Sequence, residues 1–302
     1  MSEKEPRIII ETDIGDDIDD VWSLVYALRH FGSRIALVNV VYGDIPYKAL
    51  LVSKILHILG FNALPIGLGK TMGNMARSNQ AWIGSDQQTA FSNPLLPYEQ
   101  AMDRILDVEE SAILFELGPA NDLAAYLKDR PSTRKKLTIA MMGGAYHQGY
   151  LNQKEPAAEY NVLCSVEATN FLFASCPSFV LLPLDVCRDV FIKGADYQDL
   201  LAHEEKPFVR VILENYRIWQ RDYQGGAIKF DSRLTSSILY DIIVPLFLAY
   251  PASFTLEKDH LLIDAKGNTL SDPNAPLVTV ATQCHAFPDL IHQVAEELWS
   301  RS

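Results

Sequence analysis

The sequence predicts an α/β fold in which a mostly parallel central sheet lies between layers of helices. Short apolar runs rich in β-branched residues alternate with amphipathic segments, which is the pattern of strands and crossover helices. The chain has 302 residues, 48% of them hydrophobic, so it can bury a large core. We find no composition break, repeat or low-complexity tract, and we therefore expect one domain over residues 1–302.

The predicted elements follow this alternation along the chain. Parallel strands are expected at Arg7–Ile10, Ile35–Val41, Ala112–Leu117, Leu137–Met142 and Phe179–Leu184. Apolar residues at helical spacing predict helices around Val21–Leu28 and at Tyr47–Leu59, Asn121–Lys128, Glu167–Ala174, Phe208–Gln220, Leu246–Ala249 and Pro288–Trp299. Near the end we expect a hairpin of Ser253–Lys258 with Leu261–Asp264, turning at Asp259 and His260, and then a strand at Leu277–Ala281. Long functional loops are expected near 68–96, 145–160 and 221–236.

Charge and composition exclude several kinds of partner. The formal net charge is -12, whereas nucleic acids and anionic membranes attract clustered Lys and Arg. The N-terminus has no apolar signal-peptide core, and no run reaches the roughly 18 apolar residues of a membrane helix. The four cysteines form no CxxC pair, so we expect them to be reduced. These features predict a soluble cytoplasmic protein with a small-molecule partner.

The segment 11–20 holds six carboxylates in ten residues, where an apolar strand ends and a helix begins. Two carboxylates about 5 Å apart repel by roughly 3 kcal/mol at an effective dielectric of about 20. A converging set must be protonated, spread into water or bridged by a cation. Oxygen ligands alone favour Ca²⁺ or Mg²⁺. The alternative is that Asp19 and Asp20 cap the helix while Asp16 and Asp17 are solvated. A phosphotransferase also stays open, although Glu11 stands where such enzymes have an Asp.

The rest of the chain supplies further motifs in a fixed order. The acidic turn contains Asp13-Ile14-Gly15 and Asp19-Asp20, and the later segments are Val40-Val41-Tyr42-Gly43-Asp44, Leu117-Gly118-Pro119-Ala120-Asn121, Met142-Gly143-Gly144, Glu155-Pro156-Ala157-Ala158-Glu159-Tyr160-Asn161 and Tyr240-Asp241. Together these segments resemble the motifs of the inosine-uridine nucleoside hydrolase family. The resemblance implies a single-domain, Rossmann-like layered fold. The acidic turn is two residues longer here, and it begins with Glu11 where the family has Asp.

The resemblance also implies a calcium site and a ribose site. Ca²⁺ would be held by Asp13, Asp20, Asp241 and the backbone carbonyl of Leu117, with Asp13 also acting as the base that activates water. The residues implied to contact the substrate are Asp19, Asp44, Glu159, Asn161 and either Asn152 or Gln153. The expected reaction is hydrolysis of the N-ribosidic bond of a nucleoside, and the expected assembly is a homo-oligomer, either a dimer or a tetramer.

One position departs from the commonest family pattern. Tyr240 stands where many members have a His that protonates the leaving base, and an ordinary phenol is a poor acid at neutral pH. Purine-specific members also lack that His, so Tyr240 and Trp82 are expected to stack on a purine. Asp44 favours the same preference, and His147 is an alternative acid. The rival function is a non-catalytic, metal-dependent protein that binds nucleosides, whereas a metal phosphatase is disfavoured because no Lys or Arg phosphate clamp is evident.

Overall fold

The computed structural model describes residues 5–84, 92–187, 190–222, 230–285 and 287–300. Within these ranges ten strands form one sheet, in the order β4-β3-β2-β1-β5-β6-β7-β10-β8-β9. The strands are β1 Arg7–Thr12, β2 Ile35–Val40, β3 Ile66–Leu68, β4 Leu95–Pro97, β5 Ala112–Glu116, β6 Leu137–Met142, β7 Phe179–Leu182, β8 Phe254–Ile263, β9 Thr269–Ser271 and β10 Leu277–Cys284. Neighbouring strands from β4 to β10 pair in parallel, and only β8 and β9 add antiparallel pairs. The predicted fold class is confirmed.

Eleven α-helices cover the sheet within the described ranges. They are α1 Asp19–Phe31, α2 Ile45–Ile58, α3 Gln80–Ile83, α4 Tyr98–Leu106, α5 Asn121–Asp129, α6 Tyr160–Leu163, α7 Val166–Ser175, α8 Gly194–Ala202, α9 Pro207–Asp222, α10 Ile243–Ala249 and α11 Phe287–Ser300. Among the described residues, no helix is both long and apolar enough to cross a bilayer. All four cysteines lie in the described ranges and are free thiols.

The sheet separates two apolar cores, and the central strand β1 contributes to both. Ile8 and Ile10 face the core that contains α1, α2 and α9, whereas Ile9 faces the core that contains α4, α5 and α7. All three side chains are fully buried. A continuous apolar run such as this is typical of a parallel strand covered on both faces. The fold therefore places the end of β1, and the acidic turn that follows it, at the middle of the sheet.

Several boundaries differ from the prediction for identifiable local reasons. Helix α2 begins two residues before Tyr47, because the Asp44 carboxylate accepts a hydrogen bond from the Tyr47 N–H (3.2 Å) and Pro46 suits a first turn. The segment 68–96, predicted as a loop, includes α3 and, at its two ends, the last residue of β3 and the first two residues of the edge strand β4.

The predicted hairpin turning at Asp259 and His260 is wrong. Both residues lie inside the continuous strand β8, where they pair with Val278 and Leu277 of β10. The turn comes later, between β8 and β9, where Asp264 accepts hydrogen bonds from the Lys266 and Asn268 N–H groups. Gly267 supplies the positive φ (+83°) of that turn. The polar pair within β8 is tolerated because this strand lies near the edge of the sheet and is largely exposed in its middle.

A buried polar cluster lies on the face of β1 that carries Ile9, next to the acidic turn. Glu11 is in register with Asn39 of β2 and Glu116 of β5, and all three side chains are fully buried. Glu11 accepts hydrogen bonds from the Asn39 amide (3.1 Å) and from the Tyr98 hydroxyl. Burial raises the pKa of Glu11 to about 7, against the lowering effect of these hydrogen bonds. Two neighbouring buried carboxyls cannot both ionise, so the pair retains a proton.

We predict that Glu11→Gln makes stability less dependent on pH. The stability that Glu11 contributes through its raised pKa is present below 4.5 and is lost as the pH rises through about 7. The free energy of unfolding of the variant should therefore fall less steeply across this window, by up to about 1.4 kcal/mol per pH unit. Urea unfolding at a series of pH values, with a chelator present, measures this pH dependence of the free energy of unfolding. The exposed Glu167→Gln variant is the control, and parallel profiles for Glu11→Gln and the parent would contradict the prediction.

Candidate active site

A cavity of about 250 Å³ opens at the carboxyl edge of the central strands. Ligands bind at this edge in parallel α/β sheets because the loops that leave neighbouring strands meet there. The lining combines carboxylates with tyrosines, and its residues are Asp13, Asp16, Asp17, Asp19, Asp20, Asn74, Leu117, Met142, Tyr150, Glu159, Tyr160, Asn161, Tyr240 and Asp241. Eight of the eleven residues predicted from the sequence are in this set. Of the others, Asp44 and Trp82 lie elsewhere, and the side chain of Asn152 is outside the described part of the chain.

Three carboxylates form the tightest group in the cavity. One oxygen from each of Asp19, Asp20 and Asp241 lies within 4.8 Å of the other two, and all three side chains are buried. Burial raises the pKa of each well above its usual value, and repulsion from neighbouring carboxylates, including Asp13, raises it further. The free-energy cost of ionising these carboxyls falls when a cation lies among the three oxygens. Direct Ca–O contacts are about 2.3–2.6 Å long, so oxygens within 4.8 Å of one another can share one Ca²⁺. The donor set therefore fits a hard divalent cation.

The acidic turn and α1 hold this group in place. Asp19 and Asp20 are the first two residues of α1, and the Thr12 hydroxyl donates a hydrogen bond to the Asp20 carboxylate. Asp241 lies 221 residues after Asp20 in the sequence, so its position depends on the fold. The Ser23 hydroxyl of α1 donates to the Asp241 backbone carbonyl (3.1 Å) and fixes it there. One helix thus carries two of the carboxylates and binds the segment that carries the third.

Asp13 lies beside this group without being a member of it. It follows the last residue of β1, and burial raises its pKa while the nearby Lys48 ammonium lowers it. Gly118 leaves space for the carboxylate, because a Cβ at that position would lie 3.0 Å from Asp13 Oδ1. The carbonyl of Leu117 is at the same edge and accepts a hydrogen bond from the Asn161 side-chain amide (3.0 Å). Asp13 and the Leu117 carbonyl thus border the carboxylate group.

Glu159 and Asn161 enter the cavity from the start of α6. Glu159 caps this helix and accepts hydrogen bonds from the N–H groups of Asn161 (2.8 Å), Val162 (3.2 Å) and Gly144 (2.9 Å). Burial raises its pKa to about 7 despite these bonds. The Asn161 amide also donates to the Met142 carbonyl (3.2 Å). These bonds connect α6 to the ends of β5 and β6.

Three tyrosines form an aromatic wall, which we define as Tyr150, Tyr160 and Tyr240. The rings of Tyr150 and Tyr240 meet edge to face with centroids 5.9 Å apart, and the Tyr160 N–H donates to the Tyr150 hydroxyl (2.9 Å). Only Tyr240 was predicted. The signal for Tyr160 was its position between Glu159 and Asn161 in one motif, whereas Tyr150 lies in an irregular loop and gave none.

Trp82 is not at the cavity, which corrects the expectation that it flanks the base. Its ring is buried between α2 and α9, where the indole N–H donates to Glu214 (2.8 Å) and the Lys54 ammonium lies 4.3 Å from the ring centroid. Asp44 is also absent from the lining. Its carboxylate caps α2 and accepts a hydrogen bond from Arg77 Nε (2.7 Å), so its oxygens are engaged in the helix cap and in an ion pair rather than in the cavity.

The family to which these features belong is shown by comparison with known proteins. The family model described as inosine-uridine preferring nucleoside hydrolase matches residues 8–288. A pyrimidine-specific ribonucleoside hydrolase RihA from Shewanella woodyi is 26% identical over 276 residues, covering 86% of this chain and 84% of the relative. The chain belongs to the inosine-uridine preferring nucleoside hydrolase family, whose members are N-glycosidases.

Solved structures confirm the fold. A plant nucleoside hydrolase superposes with a TM-score of 0.78 at 18% identity, covering 98% of this chain and 99% of its own. A purine-preferring ribonucleoside hydrolase from Gardnerella vaginalis gives a TM-score of 0.76 at 16% identity, covering 98% of this chain and 100% of its own. At these identities the comparison establishes the fold alone, and the base that this chain accepts has to be argued from its own cavity.

Proposed function

We propose that the chain hydrolyses the N-ribosidic bond of ribonucleosides and uses Ca²⁺ held by Asp13, Asp20, Asp241 and the Leu117 carbonyl. The convergence of Asp19, Asp20 and Asp241 within 4.8 Å carries this proposal, because none of these three buried carboxylates forms an ion pair with a Lys or Arg in the described part of the chain, where the nearby Lys48 pairs with Asp16. A cation bound there would polarise oxygens of water and of the ribose.

The residues of the chain itself supply orientation and proton transfer. Asp13 is the general base, and its buried position beside the carboxylate group gives it the raised pKa that suits such a role. Asp19, Glu159 and Asn161 hold the ribose hydroxyls, which fixes the anomeric carbon relative to Asp13. Glu159 is rigid for this purpose because three backbone N–H groups hold its carboxylate.

The aromatic wall is where we place the base. Tyr240 offers one ring face for stacking on the base, whereas Tyr150 packs edge to face against Tyr240 (5.9 Å between centroids) and supports it, so the expected pair of Tyr240 and Trp82 is reduced to one stacking ring. No histidine lines the cavity among its described residues, and the side chain of His147 is largely exposed while its backbone N–H donates to Asp185 (2.8 Å). A stacked purine accepts a proton at N7 from solvent, whereas a pyrimidine has no donor here. We therefore retain the purine preference as a proposal. The cytoplasmic location and the homo-oligomer stay predictions.

Asp13→Asn should abolish most of the turnover while leaving the substrate bound. Loss of the general base acts on the transition state, so kcat for ribose release should fall by at least about a hundredfold and KM should change by less than about threefold. Ribose release from inosine at saturating Ca²⁺ measures both. If Asp13→Asn turns over at the parental rate, another group activates the water. Binding of inosine without release of ribose by the parent would favour a nucleoside-binding protein instead.

A panel of inosine, guanosine, adenosine, uridine and cytidine tests the base site. We expect a higher kcat/KM for purine nucleosides than for pyrimidine nucleosides. Tyr240→Ala should lower kcat/KM for inosine by about tenfold, since one aromatic contact to a base contributes about 1–3 kcal/mol. Trp82→Phe, which changes a ring outside the cavity, is the matched control and should stay within about twofold of the parent. A uridine value equal to that of inosine would refute the purine preference.

A further inference from the structure

Lys48 is a buried cation that the sequence did not single out. It lies on the first turns of α2, and its side chain is fully buried. Its ammonium donates hydrogen bonds to the Asp13 backbone carbonyl and to Asp16 Oδ1 (2.9 Å). Placing an ammonium out of water is costly unless charged or polar partners surround it. Lys48 meets this condition only because it reaches the acidic turn.

The chain makes room for this side chain at Gly43. A Cβ on Gly43 would lie 2.6 Å from Lys48 Cε, and the residue has a φ of +79° that other residues rarely adopt. The path of the lysine is therefore fixed by the backbone in front of α2. It ends inside the turn that is two residues longer than the family pattern, and Asp16 belongs to that longer turn.

We propose that Lys48 is a positioning residue that holds Asp13 in the orientation needed for hydrolysis. The ammonium binds the carbonyl of Asp13 itself, so it restricts rotation of the peptide unit that directs the Asp13 carboxylate toward the cavity. The hydrogen bond from Lys48 to Asp16 holds the Asp16 carboxylate of the longer turn away from the cation site. Lys48 has no exposed surface and is not among the residues that line the cavity, so it acts only through these two residues.

This proposal rests on the proposed role of Asp13, and a double-mutant cycle separates the two. Lys48→Met keeps the length of the apolar stem and removes the charge. We expect kcat for ribose release to fall by at least about tenfold with KM within about threefold of the parent, because misplacing a reacting group affects mainly the chemical step. In the Asp13→Asn background the same substitution should cost less than about threefold in kcat, because the group that it positions is already lost.

Lys54→Met is the matched control on the same helix. The Lys54 ammonium donates to the Trp82 carbonyl, away from the cavity, so kcat should stay within about twofold of the parent. Equal losses in both backgrounds, or parental kcat in Lys48→Met, would overturn the positioning role alone. Parental turnover in Asp13→Asn would instead overturn the proposed base. Thermal unfolding confirms that each variant is folded at the assay temperature, and Lys48→Gln replaces Lys48→Met in the cycle if the latter does not fold.

Discussion

Repulsion among buried carboxylates is the constraint on which the rest of this site depends. Asp19, Asp20 and Asp241 come within 4.8 Å of one another, burial leaves little water to screen them, and Asp13 adds a further carboxyl beside them. A chain that folds in this way must either keep some of these carboxyls protonated or place positive charge beside them. Lys48 supplies one unit at the back of the acidic turn. A divalent cation at the front would supply the remainder, at the position where the ribose and the attacking water are proposed to lie.

The parallel sheet explains how such distant residues are brought together. Each strand from β1 to β6 ends at the same edge, so Asp13, Leu117 and Met142 lie side by side although more than a hundred residues separate the first from the last. Asp241 follows no strand of this set and is attached to α1 through Ser23. The starts of α1 and α6 carry the groups proposed for the ribose, whereas Tyr150 and Tyr240 lie in less regular segments. This division is consistent with a constant sugar site and a variable base site.

Much of this arrangement could be predicted from the sequence, and the exceptions have physical causes. Apolar runs located the central strands, and the resemblance of the ordered motifs to a known family identified Glu159, Asn161 and Asp241. The hairpin at Asp259 and His260 failed because polar residues near a sheet edge look like a turn. Trp82 was misplaced because an aromatic residue in a loop can face either the core or a ligand. Lys48 was missed because a lysine in a helix normally points to solvent.

A calorimetric titration of Ca²⁺ into chelator-treated protein tests most directly whether the carboxylates form a cation site. We expect one site per chain, binding weakened by at least about tenfold in Asp241→Asn, and a melting temperature that rises with Ca²⁺ concentration because only the folded chain assembles the ligands. Mg²⁺ should bind more weakly, since it loses its waters reluctantly. Absence of both heat and a thermal shift at millimolar Ca²⁺, or unchanged affinity in Asp241→Asn, would contradict a metal site formed by these residues.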